Sequence, residues 1–414
     1  MRIAILSQTY PPMVSGAALV AEKLAEHFSS QGHQVLVITA SDRPGPYRST
    51  HGNLQVERLR SLRNPFRVGQ RCVLWPHRQV MGSLKDFAPD LIHTHDPLQL
   101  GLSGLQYARQ HMVPVVYTIH QLPWFISATF SINLRGRQKF EKLMWTYAEW
   151  FIKKCASVTV ATRMVSKEVI RNTGVIPNVI SCGIDLAQFT PPGPGMDQNT
   201  ELRSRLGIPA GVPIILHVGR LDRDKQVDMV VREAALAMAK TPAHLLVVGD
   251  GTEKSWLQLL SSQLGIGERS HFPGYVSNRD GLSDIYKMAS VFVTTSVFET
   301  QGLVLLEAAA SGLPLVAIES TCLHEVVHHG KNGYLVPASA LPGTLADRLV
   351  ELLTNHGKRI EMGRHSVRVV DVHRNESTFQ AFEELYLSTL WHYRYFPFPK
   401  QVVRGRAAHS DESG

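Results

Sequence analysis

Short apolar runs alternate with amphipathic stretches along this chain, and after one break rich in proline and glycine the alternation starts again. Ile3–Ser7 reads as a buried strand, followed by the loop Gln8–Ser15. Ala17–Ser30 has helical spacing through Val20, Leu24 and Phe28 and stops at Gly32. Gln34–Thr39, Leu91–Thr94, Pro114–Thr118, Ser157–Ala161 and Val179–Ser181 are further strands, with helical stretches between most of them. Strands alternating with helices imply βαβ units and a parallel sheet, and the handedness of such units favours a doubly wound Rossmann-like domain. The break is Gln188–Thr200, QFTPPGPGMDQNT, which has little to bury. Beyond it strands are expected at Pro213–Val218, Ala243–Val248, Ser290–Thr294 and Pro314–Ile318. Helices are expected at Val227–Lys240, Glu253–Leu264 and Leu303–Ser311. The spacing therefore predicts two Rossmann-like domains, 1–187 and 201–374. A third segment, 375–414, holds a helix over Glu376–Tyr395 that packs back on the first domain, and a frayed tail.

Composition narrows the class. Of 414 residues 44% are apolar and 19% charged, a globular mix that excludes a disordered chain, a coiled coil or a collagen. The longest apolar stretch, Gly302 to Ile318, is cut by Glu307 and Pro314, so no membrane span is expected. The start, Met1-Arg2 running into Ile3–Leu6, has no signal-peptide cleavage site. Four cysteines without C-x-x-C pairs read as reduced thiols in the cytoplasm. Charge is uneven: residues 1–190 hold 21 Lys and Arg against 11 Asp and Glu, and residues 191–414 hold 22 against 24. An anionic partner is therefore expected on the first half, a nucleic acid or a membrane surface.

In open α/β sheets ligands bind at the carboxyl ends of the strands, and the chemistry-bearing motifs fall there. Gly219-Arg220-Leu221-Asp222-Arg223-Asp224-Lys225 follows a strand, and a guanidinium and an ammonium five residues apart suit a diphosphate. Asp222 and Asp224 have a D-x-D spacing, but the cations around them argue against a metal. In the segment Phe298–Glu307, Glu299 sits in a loop and Glu307 in the following helix. The backbone of Gln301, Gly302 and Leu303 forms that helix's N-terminus, a natural phosphate site. A carboxylate amid the apolar residues around Glu307 needs a partner and could accept from ribose hydroxyls. Ser15 and Gly16 open a helix after the first strand, and His120 ends the strand VPVVYTI. His93 and His95 read as structural. Gly249-Asp250-Gly251 and Gly274-Tyr275-Val276 are turns that could frame a base.

The ordered set G-R-L-x-x-x-K, G-D-G and a Glu-seven-Glu segment ending E-A-A-A-S-G-L-P resembles glycosyltransferase family 4, over roughly residues 1–390. That resemblance implies the GT-B fold, with two Rossmann-like domains facing each other across a cleft, and a retaining transfer from a nucleotide-sugar. It implies catalytic roles for His120, Glu299, Arg220 and Lys225. It implies donor contacts at Gly16, Gly219, Gly249, Tyr275, Val276, Gln301, Gly302, Leu303 and Glu307. Arg220 and Lys225 would hold the diphosphate, Glu299 the sugar hydroxyls and Glu307 the ribose. No cofactor and no essential metal is expected. Two departures are Ser15-Gly16, where the family has a double glycine, and E-T-Q-G-L in place of E-x-F-G-L. E-T-Q-G-L, HTHDPLQLGLSG and VPVVYTIHQLP look like the diacylglycerol glucosyltransferases of the family, which move glucose from UDP-glucose to a lipid. The expected reaction is substitution at the anomeric carbon, with same-face attack by the acceptor hydroxyl and the diphosphate oxygen taking its proton. Alternatives are another donor such as GDP-mannose, a soluble or polyprenol-linked acceptor, or a nucleotide-sugar binder without turnover.

A glycolipid product gives the basic half a use. Asn64–Phe87 carries Arg67, Arg71, Trp75, Arg78 and Lys85, and Arg135–Lys154 mixes basic residues with Trp145, Trp150 and Phe151. Such mixtures suit helices lying on an anionic bilayer, here the inner face of the cell membrane. Trp124, Phe125, Ile126 and Phe130 would form an apolar lip near His120. A nicotinamide dehydrogenase would need G-x-G-x-x-G after a strand, and a nucleic-acid binder would leave Glu299 and Glu307 unexplained.

Overall fold

The computed structural model describes residues 1–64, 69–123, 134–193, 200–320 and 322–395. The first lobe opens with β1 (Arg2–Ser7), α1 (Gly16–Ser30) and β2 (Gln34–Ala40). A hairpin of β3 (Tyr47–His51) and β4 (Leu54–Leu59) follows, then a ribbon of β5 (Ser61–Arg63) and β6 (Arg71–Val73). Alternation resumes with α2 (His77–Phe87), β7 (Leu91–Thr94), α3 (Gln99–His111), β8 (Val115–Thr118) and α4 (Leu134–Ile152). It ends with β9 (Ser157–Val160), α5 (Arg163–Thr173) and β10 (Asn178–Val179).

The sheet order is β10-β9-β8-β7-β1-β2-β4-β3, parallel throughout except that β3 runs against β4. Sequence reading missed the β3–β6 region, so the sheet is mixed and not wholly parallel. Central strands read as unbroken apolar runs because helices cover both faces. The edge hairpin is half solvated, and its Arg, Thr and Gln residues hide the period of two.

The second lobe comprises α6 (Thr200–Arg205), β11 (Ile214–Val218), α7 (Val227–Met238), β12 (His244–Val248) and α8 (Lys254–Gln263). Next come β13 (Ser270–Gly274), α9 (Arg279–Met288), β14 (Val291–Thr294), α10 (Leu303–Ala310), β15 (Leu315–Ile318) and β16 (Gly333–Val336). Helices α11 (Thr344–Thr354), α12 (His356–Val370) and α13 (Asn375–Tyr395) complete the described chain. The six-stranded sheet is all parallel in the order β13-β12-β11-β14-β15-β16. This is the Rossmann order, with its topological switch point between β11 and β14.

The chain passes between lobes twice, and the two passages are bonded to each other. Ile184 N donates to His373 O at 2.8 Å and Asn375 N to Ile184 O at 2.9 Å. The first passage comes a few residues earlier than composition indicates, because Ile184 and Phe189 are already buried in the second lobe's core. Helix α13 returns to the first lobe, where Phe382, Leu385 and Tyr386 pack with Ile3, Leu24 and Phe28.

Candidate active site

Loops at the carboxyl ends of both sheets meet. Thr300, after β14, accepts from Thr162 Oγ1 through its carbonyl at 3.0 Å and donates from Oγ1 to His120 O at 3.5 Å. A Cβ on Gly16, the first residue of α1, would stand 3.6 Å from Leu303 Cδ1. Ser15 caps α1, its Oγ accepting from Ala18 N at 3.0 Å. Gly302 precedes α10 with φ +79, a conformation that glycine adopts without strain. The loop after β1 and the start of α10 thus face each other across the lobes.

On the β11–β12–β13 side of the second lobe's sheet the strand ends are built backbone on backbone. Gly219 N donates to Val248 O at 3.0 Å, and Gly249 N to Gly274 O at 2.9 Å. A Cβ on Gly249 would lie 1.8 Å from Gly219 O, and one on Gly251 would lie 2.4 Å from Leu221 O. The G-D-G motif is therefore required for close packing beneath the Arg220 loop.

Arg220 is clamped by its own neighbours: Nη1 bonds the Asp222 carboxylate and Nη2 reaches Asp224 Oδ2 at 2.8 Å. Asp222 also accepts from Thr252 N at 3.0 Å. Both carboxylates of the D-x-D pair are occupied in this way. Among the described residues no three His, Cys, Asp or Glu side chains gather as metal ligands would. Lys225 Nζ donates to Glu299 Oε1 at 2.6 Å and to Ser296 Oγ at 3.3 Å, joining the loops after β11 and β14. Below them His217 donates from Nδ1 to Val293 O at 2.9 Å, and burial pushes its pKa down to about 4.

Glu307, on α10, accepts from the Tyr286 hydroxyl at 2.8 Å. Burial raises its pKa, while that bond and the charges of Lys23 and Arg279 work against the rise. Lys23 comes from α1 of the first lobe and donates to Gly183 O at 3.1 Å. Glu22, beside it, pairs with Arg279 at 3.2 Å. Tyr275 is exposed and feels the charges of Arg279, Glu22 and Glu307, and Val276 rests on the second lobe's core. Tyr275 and Glu307 therefore share one neighbourhood.

Two of the predicted residues have side chains bonded within the protein. The Gln301 side chain does not face the cleft: its Oε1 accepts from Cys182 N and its Nε2 donates to Ser181 Oγ, both at 2.8 Å. It braces the first inter-lobe passage and is only 1% exposed. Arg71 folds onto its own ribbon, donating to Ser61 Oγ at 2.7 Å and to Ser61 O at 2.9 Å, so it is not a free surface cation.

Of the two basic stretches, the second is the helix α4, whose aromatic residues are partly taken up by the core, and the first is helical in its second half. Among the described residues of 64–87 only His77–Phe87 is helical, and it exposes Arg78 and Lys85. Trp75, in the turn before it, is 89% exposed beside Leu74. Gln8 Nε2 donates to Arg71 O at 3.1 Å and Gln70 Nε2 to Val14 O at 3.2 Å, so this region abuts the loop after β1. In α4, Phe151 is core and Trp145 packs on the core, while Trp150 is exposed. Arg67, Trp124, Phe125, Ile126 and Phe130 lie outside the described residues.

Some participants escaped sequence reading because their partners are remote. Lys23 looks like a surface lysine of α1. Glu325 accepts from Arg163 N at 3.1 Å and Met164 N at 2.8 Å, capping a helix of the other lobe. His95 Nδ1 lies 2.7 Å from His120 Nε2. Only the clustering of His in HTHD hinted at the last.

The family profile "Glycosyltransferase Family 4" matches residues 14–188, and "Glycosyl transferases group 1" matches residues 198–367. A GDP-mannose-dependent alpha-mannosyltransferase of Mycobacterium tuberculosis is 30% identical over 375 residues, covering 89% of this chain and 92% of that protein. An alpha-monoglucosyldiacylglycerol synthase of Streptococcus pneumoniae is 28% identical over 382 residues, covering 87% and 84%. A sucrose-phosphate synthase structure from Thermosynechococcus elongatus superposes with a TM-score of 0.76 at 23% identity, covering 94% of this chain and 98% of that one. The chain is accordingly a glycosyltransferase of family 4 with the GT-B fold.

Proposed function

We propose that this glycosyltransferase moves a hexose, glucose from UDP-glucose, to a membrane lipid such as diacylglycerol with retention at the anomeric carbon. Charge develops on the departing diphosphate as the anomeric bond breaks. Lys225, Arg220 and the N-terminal amides of α10 are the groups that would stabilise it, so no metal is needed in this reading. Glu299 would leave Lys225 to bond sugar hydroxyls, and Glu307 would meet the ribose. The observation that carries the lipid reading is the position of Trp75. It is 89% exposed, beside exposed Leu74 and Arg78, on the region that adjoins the loop after β1. An aromatic at that place with cations around it suits the headgroup level of an anionic bilayer and would hold the cleft at the lipid surface. Two relatives named as glucosyldiacylglycerol synthases support this choice of substrates.

The relative named for GDP-mannose favours a second donor, so the test is a panel. Labelled UDP-glucose, UDP-galactose and GDP-mannose are offered with and without diacylglycerol in anionic vesicles. Transfer from UDP-glucose to the organic phase is expected, in EDTA as well. Transfer from GDP-mannose alone, or to a water-soluble acceptor alone, would replace the donor or the acceptor in this reading.

A further inference from the structure

His93, His95 and His120 follow one another at the carboxyl ends of β7 and β8. His95 is buried, and its ring lies within 15° of parallel to that of His120, with centroids 5.0 Å apart. His95 Nδ1 meets His120 Nε2 at 2.7 Å. His93 lies behind, its ring centroid 4.3 Å from that of His95. Both His93 nitrogens are engaged, with the Tyr386 hydroxyl at 2.6 Å and Thr118 Oγ1 at 2.7 Å. His95 Nε2 is buried and has no hydrogen-bond partner among the described residues. His120 alone of the three keeps some exposure.

Burial keeps all three rings neutral near pH 7, with one N–H apiece. One proton must then lie between His95 Nδ1 and His120 Nε2. If His120 owned it, the N–H of His95 would sit on Nε2, buried with nothing to accept it. If His95 owns it, the unpaired atom is a lone pair, and orphaned N–H groups are the rarer case in folded proteins. We propose that His95 donates its Nδ1–H to His120 Nε2 and so holds His120 as the Nδ1–H tautomer, which meets the cleft as a hydrogen-bond donor and not as a base.

His95 is thus a positioning residue. It leaves His120 its other nitrogen, Nδ1, already protonated. In the transfer, the acceptor oxygen bonds the anomeric carbon as the bond from that carbon to the diphosphate oxygen breaks. The acceptor's proton must then pass to that leaving oxygen, since His120 has no lone pair to take it. This consequence rests on the glycosyl-transfer reading, whereas the tautomer belongs to the unliganded protein.

Two arms separate the two claims. Two-bond proton–nitrogen correlation spectra of the full chain, labelled with 15N-histidine and assigned with His120→Ala, read the tautomer without substrate. A protonated Nδ1 and an unprotonated Nε2 on His120 are expected, and the reverse overturns the proposal. In turnover, His95→Leu should lower kcat about 10- to 100-fold with the donor KM nearly unchanged. His95→Asn, whose side-chain amide can stand in for Nδ1–H, should regain most of the loss. Unchanged kcat in the Leu variant, or a folded Asn variant no better than Leu, overturns it too. Should the wild type turn over no nucleotide-sugar, the transfer reading falls and the spectra still decide the tautomer.

Discussion

The Lys225–Glu299 pair is the clearest case of one residue answering for another. Each side chain is under one-fifth exposed, so removing one leaves the other poorly solvated. Lys225→Met and Glu299→Gln should each cost about 1–3 kcal/mol of stability. The double variant should melt higher than either single one, while all three lose roughly 100-fold or more in kcat. Thermal melts and turnover on the same samples check this. Three desolvated histidines, two of them buried and His120 partly so, set an acid limit. Burial depresses His93 to about 3 and His120 and His217 to about 4. The stability that they contribute is complete above pH ~6.5, the unfolded value, and falls as pH drops toward the folded values. Each loses about 1.4 kcal/mol per pH unit across that window. Asp96 and Glu307, raised by burial, run the opposite way. Urea midpoints should fall between pH 7 and 5, and a flat profile would refute the assignment. At this scale the sequence revealed positions but not directions. Arg220, Lys225 and Glu299 could be placed at strand ends, because the apolar runs mark where strands stop. That Gln301 faces the inter-lobe passage, or that His95 meets His120 from 25 positions away, depends on packing between segments.

Glycine shows how elements constrain one another. Gly249 has φ +141 and a neighbouring carbonyl where a Cβ would stand, whereas Gly207 has φ +69 and open space. Gly207→Ala should cost about 1–2 kcal/mol for its backbone alone. Gly249→Ala must also separate β12 from β11, and should lose more stability and weaken UDP binding in calorimetry. Equal costs would show that the loop relaxes freely. Elements covered on both faces were legible as apolar runs of four or five residues. The β3–β4 hairpin and the β5–β6 ribbon were not, because one face of each meets water and Arg, Gln and Thr fill it. The same ambiguity made Phe151 look like a membrane contact: a helix with a basic face and aromatics fits a core as well as a bilayer until its neighbours are known.

Across the whole molecule, Glu325 and Thr162 are two of the fasteners between lobes, one capping α5 and the other holding the Thr300 carbonyl. Glu325→Ala should remove about 1 kcal/mol of helix capping and favour open forms. Small-angle scattering should show a larger radius of gyration, and an unchanged radius with or without UDP would deny the latch. The vesicle attachment that the proposed function requires of Arg78, Lys85 and Trp75 should weaken as salt rises from 0.1 to about 1 M, as the screening length contracts to about 3 Å. Helix α13 has a different consequence. Phe379 stacks on His27, Tyr386 bonds His93 and Thr389 bonds Ser157, so the first lobe is finished by residues made after the second lobe. On the ribosome that lobe must wait, its interior incomplete, while the other lobe is synthesised in full. Nascent chains stalled before residue 375 should therefore expose Phe28 and Leu24 to chaperones, and release of α13 should end that exposure.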